Sequence, residues 1–142
     1  MKLVIAGYIQ DESYWRERVE PFVDGKRIIY AGNAGPVQRD ELLGGAYALL
    51  HPIKFNEPFG LSVAESMFCG TPVIAFNRGS MSELVEDKKT GFLVNDIDEA
   101  AAAVPKAADI DRAYCRQSAE ARFSIDKMTD HYLAVYEKIL NN

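Results

Sequence analysis

Five short apolar runs, rich in β-branched residues, recur along this chain with room for a helix between neighbours. Leu3-Val4-Ile5-Ala6 ends in Gly7, and Arg27-Ile28-Ile29-Tyr30-Ala31 ends in Gly32. Residues 46–51 stop before Pro52, Val73 to Phe76 follow Thr71-Pro72, and Phe92-Leu93-Val94 follow Gly91. Continuous apolar runs of this length are expected as strands buried on both faces. Helix signals fill the gaps. Asp11-Glu12 open a helix ending near Pro21, Pro36 to Leu43 form one stopped by Gly44-Gly45, and Gly60 to Cys69 form one stopped by Gly70. Ser82 to Glu86 make a turn or two, Asp96 and Asp109 each open a helix, and Ser124 caps the last. In that helix Ile125, Met128, Tyr132, Leu133, Tyr136, Ile139 and Leu140 recur at helical spacing. Strand and helix in alternation define an α/β chain with a doubly wound parallel sheet. Such sheets bind ligands beyond the carboxyl ends of their strands, which directs attention to the loops after Gly7, Gly32, His51 and Phe76.

A length of 142 residues fits a single domain spanning 1–142. The net charge of −5 argues against a nucleic-acid footprint or a polybasic membrane patch. No apolar run approaches a membrane span, and Leu3 to Ala6 is too short for a signal-peptide core, so a soluble, cytoplasmic protein is expected. Cys69 and Cys115 are too few for a disulfide framework and lack metal-ligand spacing; they are expected as buried thiols.

Chemistry concentrates in Glu57-Pro58-Phe59-Gly60-Leu61-Ser62-Val63-Ala64-Glu65. Glu57 falls in a loop after a strand, and Gly60 permits close backbone approach. The N–H groups of Gly60, Leu61 and Ser62 open a helix and suit a phosphate or diphosphate. Glu65, one turn on, can accept hydrogen bonds from a ribose diol. Carboxylates on both sides of a phosphate-binding helix start suggest a sugar nucleotide. The competing structural reading makes Glu57 a helix cap and Glu65 a solvated position. Elsewhere, Asp96-Ile97-Asp98 and Asp109-Ile110-Asp111 spell a metal-binding D-x-D pattern but sit where aspartate caps helices. Gly32-Asn33-Ala34-Gly35 lacks the dinucleotide fingerprint. His51 ends a strand beside the Glu57 loop, where it either lines the cleft or serves structure. His131 is expected to be solvated, Tyr14 and Trp15 to anchor packing, and Arg78 to be a phosphate ligand or a surface cation.

The Glu57 to Glu65 stretch resembles the E-x7-E motif of GT-B glycosyltransferases, in particular retaining family 4 (glycosyltransferase group 1). Glu65-Ser66-Met67-Phe68-Cys69-Gly70-Thr71-Pro72-Val73-Ile74-Ala75 resembles "EAMACGTPVIA", and residues 78–85 resemble "GG-x-PE-x-V". Thr90-Gly91-Phe92-Leu93-Val94 matches "TGFLV", and Phe123-Ser124 with Tyr132 and Tyr136 resembles the C-terminal helix. The resemblance implies the Rossmann-like C-terminal, donor-binding half of a GT-B fold, transferring a sugar with retention from a nucleotide-sugar, a UDP-sugar foremost, to an unknown acceptor. It casts Glu57 as the catalytic carboxylate at the donor sugar, and Phe59, Gly60, Leu61 and Ser62 as contacts for sugar and diphosphate. Glu65 becomes the ribose ligand, with Ala34 and Arg39 on the nucleobase side. No metal and no cofactor are implied, the nucleotide-sugar being a co-substrate. The family's N-terminal acceptor-binding domain and the first strand of its C-terminal domain have no counterpart here. Strands 3–7 and 46–51 are therefore expected to flank a gap, filled by a strand from another chain, by pairing or exchange between two copies, or by closure in a changed order. Alone, the chain is expected to bind donor without catalysing transfer. The other reading is a stand-alone nucleotide- or phosphosugar-binding regulatory module.

Overall fold

A computed structural model describes residues 1–141; Asn142, the end of the expected domain, lies outside the described residues. The chain falls into two compact units, Met1–Glu41 and Leu42–Asn142.

In the first unit β1 (Leu3–Ile5) and β2 (Ile28–Tyr30) pair in parallel, Leu3 opposite Ile28 and Ile5 opposite Tyr30. Asp11 starts the intervening helix, its carboxylate accepting the N–H groups of Ser13 and Tyr14 at 2.9 Å each. A bond from the Ser13 hydroxyl, chiefly, and these backbone bonds with it hold its pKa below the usual carboxylate value. The helix begins as α1 (Glu12–Tyr14), widens into a π turn (Trp15–Val19) and tightens into a 3-10 turn (Glu20–Phe22). Pro21 sits inside that last turn, where a proline near a helical start costs no hydrogen bond. α2 (Pro36–Gly45) follows and runs through both glycines expected to stop it.

Burial of the first strand differs from expectation. Leu3 and Val4, which point to opposite faces, are 40% and 43% exposed. Among the described residues β1 has a partner on one side only, and no residue of Met1–Glu41 is buried. Two strands with one helical connection cannot cover both faces of a sheet.

The second unit carries a parallel sheet in the order β3-β4-β5, made of β3 (Leu49–His51), β4 (Val73–Phe76) and β5 (Gly91–Val94). The helices are α3 (Leu61–Phe68), α4 (Met81–Leu84), α5 (Ile97–Ala103), α6 (Arg112–Phe123) and α7 (Ile125–Leu140). β4 is wholly buried, and its alternation divides the core. Val73 and Ala75 pack with Val63 and Met67 of α3, Met81 and Leu84 of α4, and Ala119 of α6. Ile74 and Phe76 pack with Val94 and with Ala103 of α5. Helices on both faces of a parallel sheet are the doubly wound arrangement the sequence implies. In place of the single sheet expected, the strands of the described residues are grouped as a two-stranded sheet in the first unit and a three-stranded sheet in the second.

Asp96 caps α5, accepting from the Glu99 N–H at 2.8 Å. Asp111 caps α6 in place of Asp109, which ends a 3-10 turn (Pro105–Asp109). The carbonyls at the end of α2 are met by side chains. The Thr71 hydroxyl donates to Leu43 O at 2.6 Å, and Arg112 donates to Gly44 O and Ala46 O at 2.8 Å. Among the described residues no helix is long and apolar enough to cross a membrane.

Candidate functional site

The loop between β3 and α3 carries the first carboxylate, and its shape is set by a segment far away in sequence. The Ser80 N–H donates to Glu57 O at 2.9 Å, and the Ser80 hydroxyl donates to Phe59 O at 2.6 Å. Arg78 donates from its guanidinium to Lys54 O at 3.0 Å, so it clamps the loop, a third role beside the phosphate ligand and surface cation expected for it. Gly79 lies beneath Glu57 with φ +57°; a Cβ there would stand 2.5 Å from the Glu57 nitrogen and against its carbonyl oxygen. The backbone between β4 and α4 thus fixes where Glu57 stands. The sequence alone does not assign this task to Gly79, Ser80 or Arg78, because the contacts join residues more than twenty positions apart. The glycine-serine pair following a buried strand, within the stretch 78–85 that resembles "GG-x-PE-x-V", is the signal the sequence offers for it.

Gly60 turns the chain into α3 in the left-handed region, φ +95° and ψ +64°, with its own backbone buried. No side chain caps α3. Glu57 therefore does not cap the helix. The N–H groups of Gly60, Leu61 and Ser62 are left without a described partner, while Val63 and Ala64 already donate to Gly60 O at 3.0 and 3.2 Å. Leu61 and Ser62 are exposed, Phe59 is 42% exposed with its ring edge-on to Phe123, and Glu57 and Glu65 are half-buried. Glu65 stands one turn into α3, on the helix that opens at these donors. Eight residues of aligned peptide dipoles give this end a partial positive charge, so a loop carboxylate, an uncapped helix start and a helical carboxylate occur in series.

His51 ends β3 opposite Ala75. Its Nε2 is buried without a hydrogen-bond partner. Burial pushes its pKa below the ordinary imidazole value, opposed by the nearby Glu57 charge. Ala34 and Arg39 belong to the first unit, Arg39 on α2 with its guanidinium 3.1 Å from Asp40. Among the described residues no cluster of three or more His, Cys, Asp or Glu side chains is placed to hold a metal ion. Cys115 is buried, which raises its thiol to about 11, whereas Cys69 is only half-buried.

A parallel α/β sheet with an uncapped helix start at its carboxyl edge, flanked by two carboxylates, is the arrangement of proteins that bind phosphorylated or nucleotide-linked ligands. The family model for glycosyl transferases group 1 matches residues 1–122, and the chain belongs to that family. It is 38% identical over 96 residues to D-inositol 3-phosphate glycosyltransferase of Mycobacterium avium, a match covering 61% of this chain and 22% of that protein. It is 28% identical over 94 residues to spore coat protein SA of Bacillus subtilis, covering 60% of this chain and 25% of that one. The crystal structure of Anabaena HepE in complex with UDP-glucose superposes with a TM-score of 0.80 at 21% identity, over 96% of this chain and 41% of that one. AviGT4, a glycosyltransferase of avilamycin A biosynthesis, gives 0.78 at 24% identity, over 99% and 44%. These likenesses establish the GT-B-type α/β fold. The chain spans about a quarter of the length of these two curated relatives.

Proposed function

We propose that the chain is the donor-binding part of a retaining GT-B glycosyltransferase of family 4, corresponding to its C-terminal domain, with residues 1–142 acting as one nucleotide-sugar-binding domain. One observation carries this reading: the uncapped start of α3, with its free N–H groups of Gly60, Leu61 and Ser62, falls between Glu57 and Glu65 along the chain. In this reading the diphosphate of a UDP-sugar sits on those N–H groups, where the helix dipole offsets the charge that grows on the departing diphosphate. Glu65 accepts the ribose hydroxyls. Glu57, held by Ser80 and Gly79, accepts hydroxyls of the transferred sugar beside the reacting carbon, with Phe59 against the sugar ring. Ala34 and Arg39 belong to the base side. Binding and transfer need no metal and no further cofactor. The partner is an N-terminal acceptor-binding domain, pairing or strand exchange between copies is the route by which open strand edges are completed, and the protein works in the cytoplasm. Relatives named as glycosyltransferases and a structural neighbour crystallised with UDP-glucose support the donor class.

Titration of the chain with UDP and UDP-glucose by calorimetry tests the site. Wild type should bind both. Glu65→Ala, which removes charge-assisted bonds to the ribose, should weaken both about tenfold or more. Equal affinity in the variant would remove Glu65 from the site, and no binding by wild type would end the donor reading.

A further inference from the structure

The first unit holds a cleft that the reading above does not use. It is an open groove of about 350 Å³ at the carboxyl end of β1, lined by Tyr8, Gln10, Asp11, Tyr14, Trp15 and Tyr30 together with aliphatic side chains such as Ile5, Ile9 and Val19. Of the two packing anchors the sequence suggests, Trp15 is half-buried against Tyr30 and Tyr14 is not buried. Tyr14 is 61% exposed and Tyr8 is 78% exposed, so two phenol rings stand in solvent at the cleft. The inner wall is tied by two contacts. Tyr30 donates its hydroxyl to Gly7 O at 2.7 Å, and the Trp15 ring lies 4.4 Å from the Tyr30 ring, tilted by 49°. Trp15 begins the π turn, a helical form that recurs at functional sites.

The lining chemistry selects a ligand class. No lysine, arginine or histidine lines the cleft, and Asp11 contributes its one charge, so a phosphorylated or otherwise anionic ligand is disfavoured. Asp11 accepts its helix-capping bonds through Oδ1 alone, with the Ser13 hydroxyl at 2.6 Å, which leaves Oδ2 for an incoming donor. Gln10 adds an amide with both donors and acceptors. Aromatic faces suit the C–H face of a pyranose, and a carboxylate with an amide suits its hydroxyls. A flat nucleobase offers the stacking surface but few hydroxyl-like donors. The volume lies within the range of small-molecule sites.

We propose that this aromatic cleft is a binding site for a neutral saccharide. Trp15 is the one tryptophan in the chain, so intrinsic fluorescence reports on the cleft directly. The chain is titrated with maltotriose, cellotriose and mannotriose, and with uridine as the competing ring ligand. At least one trisaccharide should give a saturable fluorescence change. Tyr8→Ala and Tyr14→Ala, both at exposed positions, should weaken that ligand about two- to tenfold each, the range expected for loss of one ring contact. Absence of saturation with all three sugars, saturation by uridine alone, or unchanged affinity in both variants would overturn the proposal. UDP binding, followed separately by calorimetry, is unaffected by these outcomes.

Discussion

Gly79 shows how much of a site can rest on a residue with no side chain. Its φ of +57° lies where other L-residues are strained, and a Cβ would meet backbone atoms of Asn56 and Glu57, which cannot swing aside as a side chain can. Gly60, also at positive φ, differs: a Cβ there would meet the tip of the flexible Met81 side chain at 2.7 Å. Gly79→Ala should therefore displace the Glu57 loop while sparing the core that α3, β4 and α6 build. The expected result is a loss of stability of about 1–3 kcal/mol by urea denaturation, as for a residue forced into a disfavoured backbone region. UDP-glucose affinity should fall more than UDP affinity, because Glu57 is assigned to the sugar and Glu65 to the ribose. Equal loss for both ligands would show that Gly79 supports the fold and does not place Glu57.

Between elements, Glu86 is the main polar tie. It follows α4 and receives the Ser118 hydroxyl at 2.7 Å and the Tyr114 hydroxyl at 3.0 Å, both from α6. Arg122, also on α6, stands 3.5 Å away and donates to Leu84 O at 3.0 Å. The Ser118 bond is the largest cause of a lowered Glu86 pKa, with Tyr114, Arg122 and Lys89 adding to it against partial burial. A carboxylate with a lowered folded-state pKa stabilises the fold above its unfolded value, and that stabilisation disappears as pH falls through the folded value. Glu86→Gln should thus cost about 1 kcal/mol at neutral pH, the scale of a hydrogen bond to a partly exposed charge. The deficit relative to wild type should shrink below about pH 4.5, the unfolded carboxyl value. A deficit that stays constant down to pH 3 would mean that the charge contributes nothing. This clasp was invisible in the sequence, since serine, tyrosine and arginine on a helix do not announce a partner about thirty residues earlier. β4 was legible because a run buried on both faces needs no partner to be recognised, and α3 was legible from Gly60, its apolar face and Gly70. The exposure of β1 was not legible, because burial depends on which strands flank it. The D-x-D pairs illustrate the reverse case, where Asp96 and Asp111 follow the capping rule.

Across the molecule, buried apolar mass is distributed unevenly. Among the described residues the buried hydrophobic core runs from Val63 to Ala119, and none of it lies in Met1–Glu41. β4 is paired on both sides and covered on both faces, whereas β1 and β2 have one another and the Trp15–Tyr30 contact. Local opening costs little where few apolar contacts must be broken. Native-state hydrogen exchange should therefore separate the units. Amides of β4, such as Val73 bonded to Thr90 O, should exchange only through global unfolding. Those of the β1–β2 pair, such as Leu3 bonded to Arg27 O at 2.8 Å and Ala31 bonded to Ile5 O at 2.8 Å, should exchange at least about a hundredfold faster, through an opening some 2.7 kcal/mol cheaper. Equal protection in both sheets would overturn this, because it would require the first unit to unfold only together with the buried core of the second. If the hierarchy holds, a saccharide seated against Trp15 should slow exchange of the β1–β2 amides selectively, since a ligand that binds only the closed form adds its binding free energy to the cost of opening.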